Sequence, residues 1–241
     1  MNTTSKRIVL VTGASQGIGR AACLALARSD FHVIATARSK DALEFLDDEI
    51  KSETGERATL VPMDITDFKA IDTLESVLAT RFGRLDALLA NAGVLGTIGS
   101  LQTVTPRSFE ETIAVNLTAN FRVIAAFDPL LRQADSPRAV FMTTGVVPRP
   151  RAFWGPYQAS KWGLEGMVLA YADEADGTKL NVNLFDPGAV RTSMRAKAMP
   201  GEDPMTLPAP EDVVLQFVPL LKASESRNAE RIVFSRAAEA G

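Results

Sequence analysis

A short apolar run that ends in a glycine-rich turn and then a helix limits this chain more than any other feature of its sequence. Ile8-Val9-Leu10-Val11-Thr12 shows no polar alternation, the pattern of a strand buried on both faces. Gly13-Ala14-Ser15-Gln16-Gly17-Ile18-Gly19 follows at once, and Arg20–Ser29 reads as a helix. A strand covered on both sides needs helical layers above and below it. In the order strand, turn, helix, glycines let the backbone approach a phosphate, and the helix N-terminus offers unpaired N–H groups and a positive dipole. The spacing is Thr-Gly-x-x-x-Gly-x-Gly, which differs from the more widespread G-x-G-x-x-G.

The rest of the chain repeats the alternation. His32–Ala37, Thr59–Pro62, Ala87–Ala90, Ala139–Thr143, Asn181–Phe185 and Arg231–Phe234 read as strands. Between them lie helical patterns at Lys40–Glu53, Phe68–Phe82, Thr105 to near Leu131, Tyr157 to about Asp176, and Glu211–Leu221. The stripe Ile71, Leu74, Val77, Leu78 and Phe82 is closed by Gly83, and Phe109, Ile113, Asn116, Leu117 and Phe121 mark the next helix behind a Thr105-Pro106 start. Strands alternating with helices predict an α/β fold, a Rossmann-type doubly wound parallel sheet flanked by helices on both faces. At 241 residues the expectation is a single domain over 1–241. Prolines 187, 200, 204, 208 and 210 and Met194, Met199 and Met205 set residues 186–210 apart, and a loop that long in a compact domain suggests a substrate lid at about 188–210.

Tyr157-Gln158-Ala159-Ser160-Lys161 carries the chemistry. On a helix Tyr157 and Lys161 stand at i and i+4 and share a face. An ammonium beside a phenol favours the phenolate, each pKa unit being worth about 1.4 kcal/mol. A tyrosine so lowered can give a proton to a carbonyl oxygen or take one from an alcohol.

Composition removes other classes. A net charge of −3 gives no footprint for nucleic acid or an anionic membrane surface. No apolar run approaches the ~18 residues of a membrane span, and Met1–Arg7 runs into the first strand without a signal-peptide pattern. The lone Cys23 excludes a disulfide framework and reads as a small core residue, and the lone His32 opens a strand and reads as structural. No metal site and a cytoplasmic, soluble protein are expected.

Taken together, Thr12-Gly13-x-x-x-Gly17-x-Gly19, Asn91-Ala92-Gly93, Asn116, Tyr157-x-x-x-Lys161 and Pro187-Gly188 with Thr192 resemble the short-chain dehydrogenase/reductase family, in its simple single-domain form, from Ile8 to about Phe234. The resemblance implies an oxidoreductase that moves a hydride between NAD(P)(H) and a small-molecule carbonyl or secondary alcohol. It implies that Tyr157 is the general acid or base, that Lys161 lowers its pKa and bonds the nicotinamide ribose, and that Asn116 anchors a water feeding a proton relay. Gly13, Ser15, Gln16, Gly17, Ile18 and Gly19 would hold the cofactor's phosphates. Asp64 and Ile65 with Asn91, Ala92 and Gly93 would line its adenosine side, and Pro187, Gly188, Val190 and Thr192 would orient its carboxamide. Proteins of this kind pair through the helices around Asn116 and Tyr157, so a homodimer or homotetramer is expected.

Two positions depart from the common pattern. Thr144 stands where the family places serine; its hydroxyl can still donate to a substrate oxygen, although β-branching restricts it. The end of the second strand carries Ala37 and then Arg38, a neutral residue followed by a guanidinium suited to a phosphate. NADP(H) is therefore favoured and NAD(H) is the alternative, with Gln16 standing where many NADP-dependent members carry a basic residue. Phe153, Trp154, Met194, Met199, Met205 and Leu207 suggest an apolar substrate pocket, and Arg149, Arg151, Arg191, Arg195 and Lys197 lie in the same two loops. The alternatives are a catalytically weakened dinucleotide-binding regulatory protein and a nucleotide-sugar epimerase or dehydratase.

Overall fold

Parallel neighbours in a sheet need a crossover between them, and every apolar run here is followed by a segment that supplies one. The computed structural model describes residues 6–236, so the outermost parts of the expected domain, 1–5 and 237–241, lie outside the described residues. Its strands are β1 (Arg7–Thr12), β2 (Phe31–Ala37), β3 (Thr59–Pro62), β4 (Ala87–Ala90), β5 (Arg138–Met142), β6 (Asn181–Asp186) and β7 (Arg231–Val233). They form one sheet in the order β3-β2-β1-β4-β5-β6-β7, every adjacent pair parallel.

The helices are α1 (Gly17–Arg28), α2 (Lys40–Thr54), α3 (Phe68–Phe82), α4 (Pro106–Ile113), α5 (Ala119–Arg132), α6 (Gly155–Glu174), α7 (Ser193–Ala198) and α8 (Pro210–Phe217). Alternate residues of each strand feed opposite cores, as the strand's two-residue period requires. Val9 and Val11 pack with Leu43, Leu46 and Phe217 from α2 and α8. Leu10 and Ile34 pack on the other face with Leu74, Phe127 and Leu164 from α3, α5 and α6. Cys23 is wholly buried in the first of these cores. His32 bonds Thr59 Oγ1 at 2.9 Å and its ring lies 5.4 Å from Phe82.

Local sequence explains most boundaries. Ser39 and Asp67 cap α2 and α3 through Ala42 N and Ala70 N, and both helices stop at left-handed Gly55 and Gly83. Three expectations shift. The helix from Thr105 is interrupted: α4 passes through a π-helical turn, Ala114–Thr118, before α5. The wider turn rotates the residues beyond it, so Phe121 is 53% exposed while Val123 and Phe127 face the core. Val77 stands outside its stripe, 52% exposed. Residues 186–210, expected as loop, contain α7, capped by Thr192 through Arg195 N, and a 3-10 turn at Pro204–Thr206.

The sheet order reverses between β1 and β4, whose C-terminal ends diverge into separate loops. Such a switch point leaves a crevice at the carboxyl ends of the strands.

Candidate active site

The crevice is a cavity of about 700 Å³. Its floor is the glycine turn. Gly13 and Gly17 take φ of 69° and 54°, which side chains rarely adopt. A Cβ at Gly19 would come within 2.2 Å of Gly13 O, so that glycine sets how tightly α1 packs on β1. Gln16 precedes α1 with no side-chain capping bond, and no acid lies in the first turn. The first N–H groups of α1 are therefore uncapped beside the cavity, a cradle suited to a pyrophosphate.

The turn is clasped from β4. Thr12 Oγ1 accepts from Asn91 N and Ala92 N, both at 3.0 Å, and Asn91 Nδ2 donates to Thr12 O and Gly13 O at 3.0 and 3.1 Å. Asn91 thus braces the turn with its side chain, while Asn91, Ala92 and Gly93 all line the cavity. At its far end stand Ala37, Arg38, Asp64 and Ile65. Asp64 Oδ1 accepts from Thr66 N at 2.8 Å and Thr66 Oγ1 at 2.7 Å. These bonds, with Arg38 adding its charge, hold the Asp64 carboxyl below its ordinary range. The Ala37 position offers no carboxylate, so nothing there repels a phosphate on the adenosine ribose.

A second cavity of about 570 Å³ shares a wall with the first, and Tyr157 borders both. Pro156 opens the first turn of α6, which places Tyr157 and Lys161 on one buried face. Thr144 and Tyr157 both line the second cavity, and the Thr144 hydroxyl is close enough to the phenol to favour its ionised form. Lys161 Nζ donates to Met142 O at 2.7 Å and stands 6.0 Å from the centre of the Tyr157 ring. Gly93 passes the same ammonium without a side chain; a Cβ there would lie 3.8 Å from it.

The electrostatics differ from the expectation. Burial pushes the Tyr157 phenol up to about 12, against the lowering effect of the Thr144 hydroxyl and with Asp186 adding to the rise. Lys161 is lowered to about 8, again by burial, with Glu165 opposing. Desolvation penalises both charged forms, and the ammonium is turned to a carbonyl instead of the phenol oxygen. In this geometry the phenol is held neutral, the form of a proton donor.

Asn116, wholly buried, lies in the π turn beneath this floor. Its Oδ1 accepts from Val94 N at 2.8 Å, and its Nδ2 donates to Val94 O and Ser160 Oγ, each at 2.9 Å. Ser160 Oγ in turn donates to Tyr157 O at 2.7 Å. Both amide hydrogens are committed, so Asn116 ties the Val94 loop to α6 and lines neither cavity. Gly188 and Val190 border the second cavity instead of the first, and Pro187 and Thr192 border both. The Thr192 hydroxyl accepts from Arg195 N at 3.2 Å, and Ser193 Oγ donates to Gln16 Oε1 at 3.2 Å, so α7 rests on the glycine turn. Of the expected apolar lining, Trp154 and Met194 face the second cavity; Phe153 and Met205 are exposed, and Leu207 sits with Met205 in a separate surface depression.

A buried polar network behind Thr144 had no signal in motif spacing. Arg231 of β7 donates through Nε to Glu165 Oε1 at 3.0 Å, and through Nη2 to Asp186 Oδ2 and Thr144 O, each at 2.9 Å. Thr143 Oγ1 donates to the same Glu165 oxygen, and Asp186 Oδ1 accepts from Gly188 N at 2.9 Å. Arg231 thereby joins the Thr144 loop, α6 and the end of β6. Glu165 follows Lys161 by one helical turn, a spacing that could have drawn attention to it; Arg231 offers no such cue.

Comparison with known proteins agrees with this arrangement. Residues 7–203 match the family model described as short chain dehydrogenase. The chain is 36% identical over 230 residues to the uncharacterized oxidoreductase YciK of Escherichia coli, covering 95% of this chain and 90% of that protein. A short chain dehydrogenase from Shigella flexneri complexed with NADP superposes with a TM-score of 0.91 at 35% identity, covering 94% of this chain and 96% of that one. One from Escherichia coli complexed with NADPH gives 0.91 at 36% identity, covering 94% and 95%.

Proposed function

The chain belongs to the short-chain dehydrogenase family of NAD(P)-dependent oxidoreductases, and from that premise we propose that it reduces a small-molecule carbonyl to a secondary or primary alcohol with NADPH, or runs the reverse with NADP+. The observation that carries this reading is Tyr157. Its side chain borders both cavities, beside Thr144 in the second and one helical turn from Lys161. A group that protonates a carbonyl oxygen while the carbon takes hydride from the neighbouring cavity has to stand at that boundary.

Bound in the first cavity, NADPH supplies the hydride. The N-terminus of α1 and Gly13, Ser15, Gln16, Gly17 and Ile18 take the pyrophosphate, with Gly19 setting their approach. Arg38 takes the 2′-phosphate, Asp64 and Ile65 border the adenine, and Asn91 to Gly93 form the wall between adenosine and ribose. Tyr157, neutral at physiological pH, donates its proton to the carbonyl oxygen as the carbon accepts hydride. Thr144 donates a second hydrogen bond to that oxygen and fixes the face presented. Lys161 holds the ribose and stabilises the phenolate left behind, and Asn116 holds the Val94 loop and α6 in register beneath them. Pro187 and Thr192, which border both cavities, position the nicotinamide with Gly188 and Val190 on its second-cavity side, and residues 188–210 act as the lid over the second cavity. The solved relatives that carry NADP and NADPH support the choice of cofactor, as do Ala37 and Arg38.

The protein is taken to work in the cytoplasm as a homodimer or homotetramer. Phe121 and Trp162, each 53% exposed, and Leu169, 42% exposed, support α5 and α6 as the shared face. NADPH consumption over a panel of aldehydes and ketones tests the reaction. Turnover of at least one is expected; NADPH binding with no turnover of any would favour a regulatory cofactor-binding protein.

A further inference from the structure

The second cavity has buried apolar lining at Val146 and Val190 and exposed cations at Arg149 and Arg151. Val146, Trp154, Val190 and Met194 line its body, while Arg149, Arg151, Arg195 and Arg231 reach it with Asp186 as the lone carboxylate among the described lining residues. Two of these cations are already matched. Arg231 is bonded to Glu165 and Asp186, and Arg195 binds Glu202 in a two-pronged pair at 2.5 and 2.6 Å. Arg149 and Arg151 have no ion pair among the described residues. They come from the loop before α6, and Arg195 comes from α7, so guanidinium groups approach the cavity from two separate segments.

The loop holds Arg151 in place. Arg151 N donates to Gln158 Oε1 at 3.3 Å, and Phe153 O accepts from Gly99 N at 2.9 Å. Phe153 itself has φ of 72°, a strained conformation for a bulky side chain. Strain of this kind persists where the surrounding structure enforces it, often at ligand clamps. The Arg151 guanidinium lies 5.9 Å from the Trp154 ring, and that ring packs edge-on to Tyr157 with centroids 5.9 Å apart. The cation is therefore no more than two such separations from the Tyr157 ring. Its field reaches the lid: Glu202 lies below its ordinary pKa chiefly through the Arg195 hydrogen bonds, and Arg151 adds to the effect.

We propose that the substrate is a carbonyl compound that also carries an anionic group, a carboxylate or a phosphate, and that Arg149 and Arg151 form the subsite for that group. The proposal rests on the hydride-transfer reading above. The carbonyl meets Tyr157 and Thr144, the apolar body lies on Trp154 and Met194, and the anion lies against the loop before α6. Guanidinium suits either anion because its planar donors pair with two oxygens at once.

Three aldehydes separate the possibilities: 4-carboxybenzaldehyde, its methyl ester, and 4-formylphenyl phosphate, each with NADPH. For one or both anions, kcat/KM is expected about tenfold or more above the ester. The preference should shrink as salt rises and fall toward parity in the double variant Arg149→Gln/Arg151→Gln. Which anion leads identifies the source of the charge. An ester reduced as well as both acids, or a ratio unchanged in the double variant, overturns the subsite. If none of the three is reduced, the reaction itself is in doubt and binding decides the subsite separately. Benzoate and phenyl phosphate are then titrated calorimetrically into NADP+-loaded protein. Affinity that drops about tenfold in the double variant sustains the subsite; no binding to wild type, or equal binding to both, ends it.

Discussion

Replacing Arg231 with methionine should damage stability and turnover together while leaving the cofactor in place. The guanidinium makes three hydrogen bonds, to Glu165, Asp186 and Thr144 O, each within 3.0 Å. Glu165 and Asp186 are 8% and 3% exposed, so the variant leaves two buried carboxylates without their guanidinium partner. Removing one partner from a buried pair costs about 3–5 kcal/mol. The Arg231 side chain is 25% exposed, and solvent screening lowers the expectation to about 2–4 kcal/mol. Urea unfolding at pH 7 measures it. The Thr144 carbonyl loses its donor at the same time, so kcat should fall while the Kd for NADPH, held in the other cavity, changes less than about threefold. Arg231→Lys can restore one of the three bonds and should recover only part of each loss. A destabilisation below about 1 kcal/mol, or a kcat equal to wild type, would show that the network neither supports β7 nor holds the Thr144 loop.

Lys161 gives a pH-dependent expectation. Its folded pKa of about 8 lies below the ordinary 10.5, so the unfolded chain binds more protons between those values and stability rises with pH across that window. Below about pH 8 the buried ammonium costs up to about 3 kcal/mol, so Lys161→Met should be the more stable protein at pH 7 in urea, with the gap closing toward pH 10; a constant gap contradicts the burial argument. Arg38→Ala should weaken NADPH about tenfold and NADH hardly at all, in fluorescence titrations whose difference shrinks with salt. Equal weakening of both would make Arg38 a surface charge. Sedimentation at micromolar concentration should give at least twice the 25.9 kDa chain mass, and Phe121→Glu/Trp162→Glu should dissociate the assembly; a wild-type monomer refutes the shared face.

Much of the frame was legible because it depends on local pattern. The strands of continuous apolar residues, and the capped stripes of α2 and α3, reappear within a residue or two of their expected limits. The Tyr157–Lys161 face follows from helical spacing alone. What sequence could not give depends on depth and on distant partners. The pKa of Tyr157 turns on burial, which no i, i+4 argument contains, and it moved opposite to the expected direction. The π turn at Asn116 has no mark in the apolar pattern, and it redirected Phe121 to the surface. Arg231 reads as one charge in a short last strand; its partners come from the ends of β5 and β6 and from the middle of α6, which only the sheet order brings together.

The role proposed for Tyr157 is to give its proton to the substrate oxygen where the two cavities meet. Tyr157→Phe removes one hydroxyl and keeps the ring that packs on Trp154, so the variant should bind NADPH with a Kd within about twofold of wild type. On any carbonyl the wild type accepts, its kcat should fall by about 10²- to 10⁴-fold, the range of a lost general acid. Single-turnover decay of NADPH absorbance under saturating substrate measures the step without interference from product release. A rate near that of wild type, with cofactor binding intact, would mean that the proton comes from elsewhere and that Tyr157 is only part of the wall.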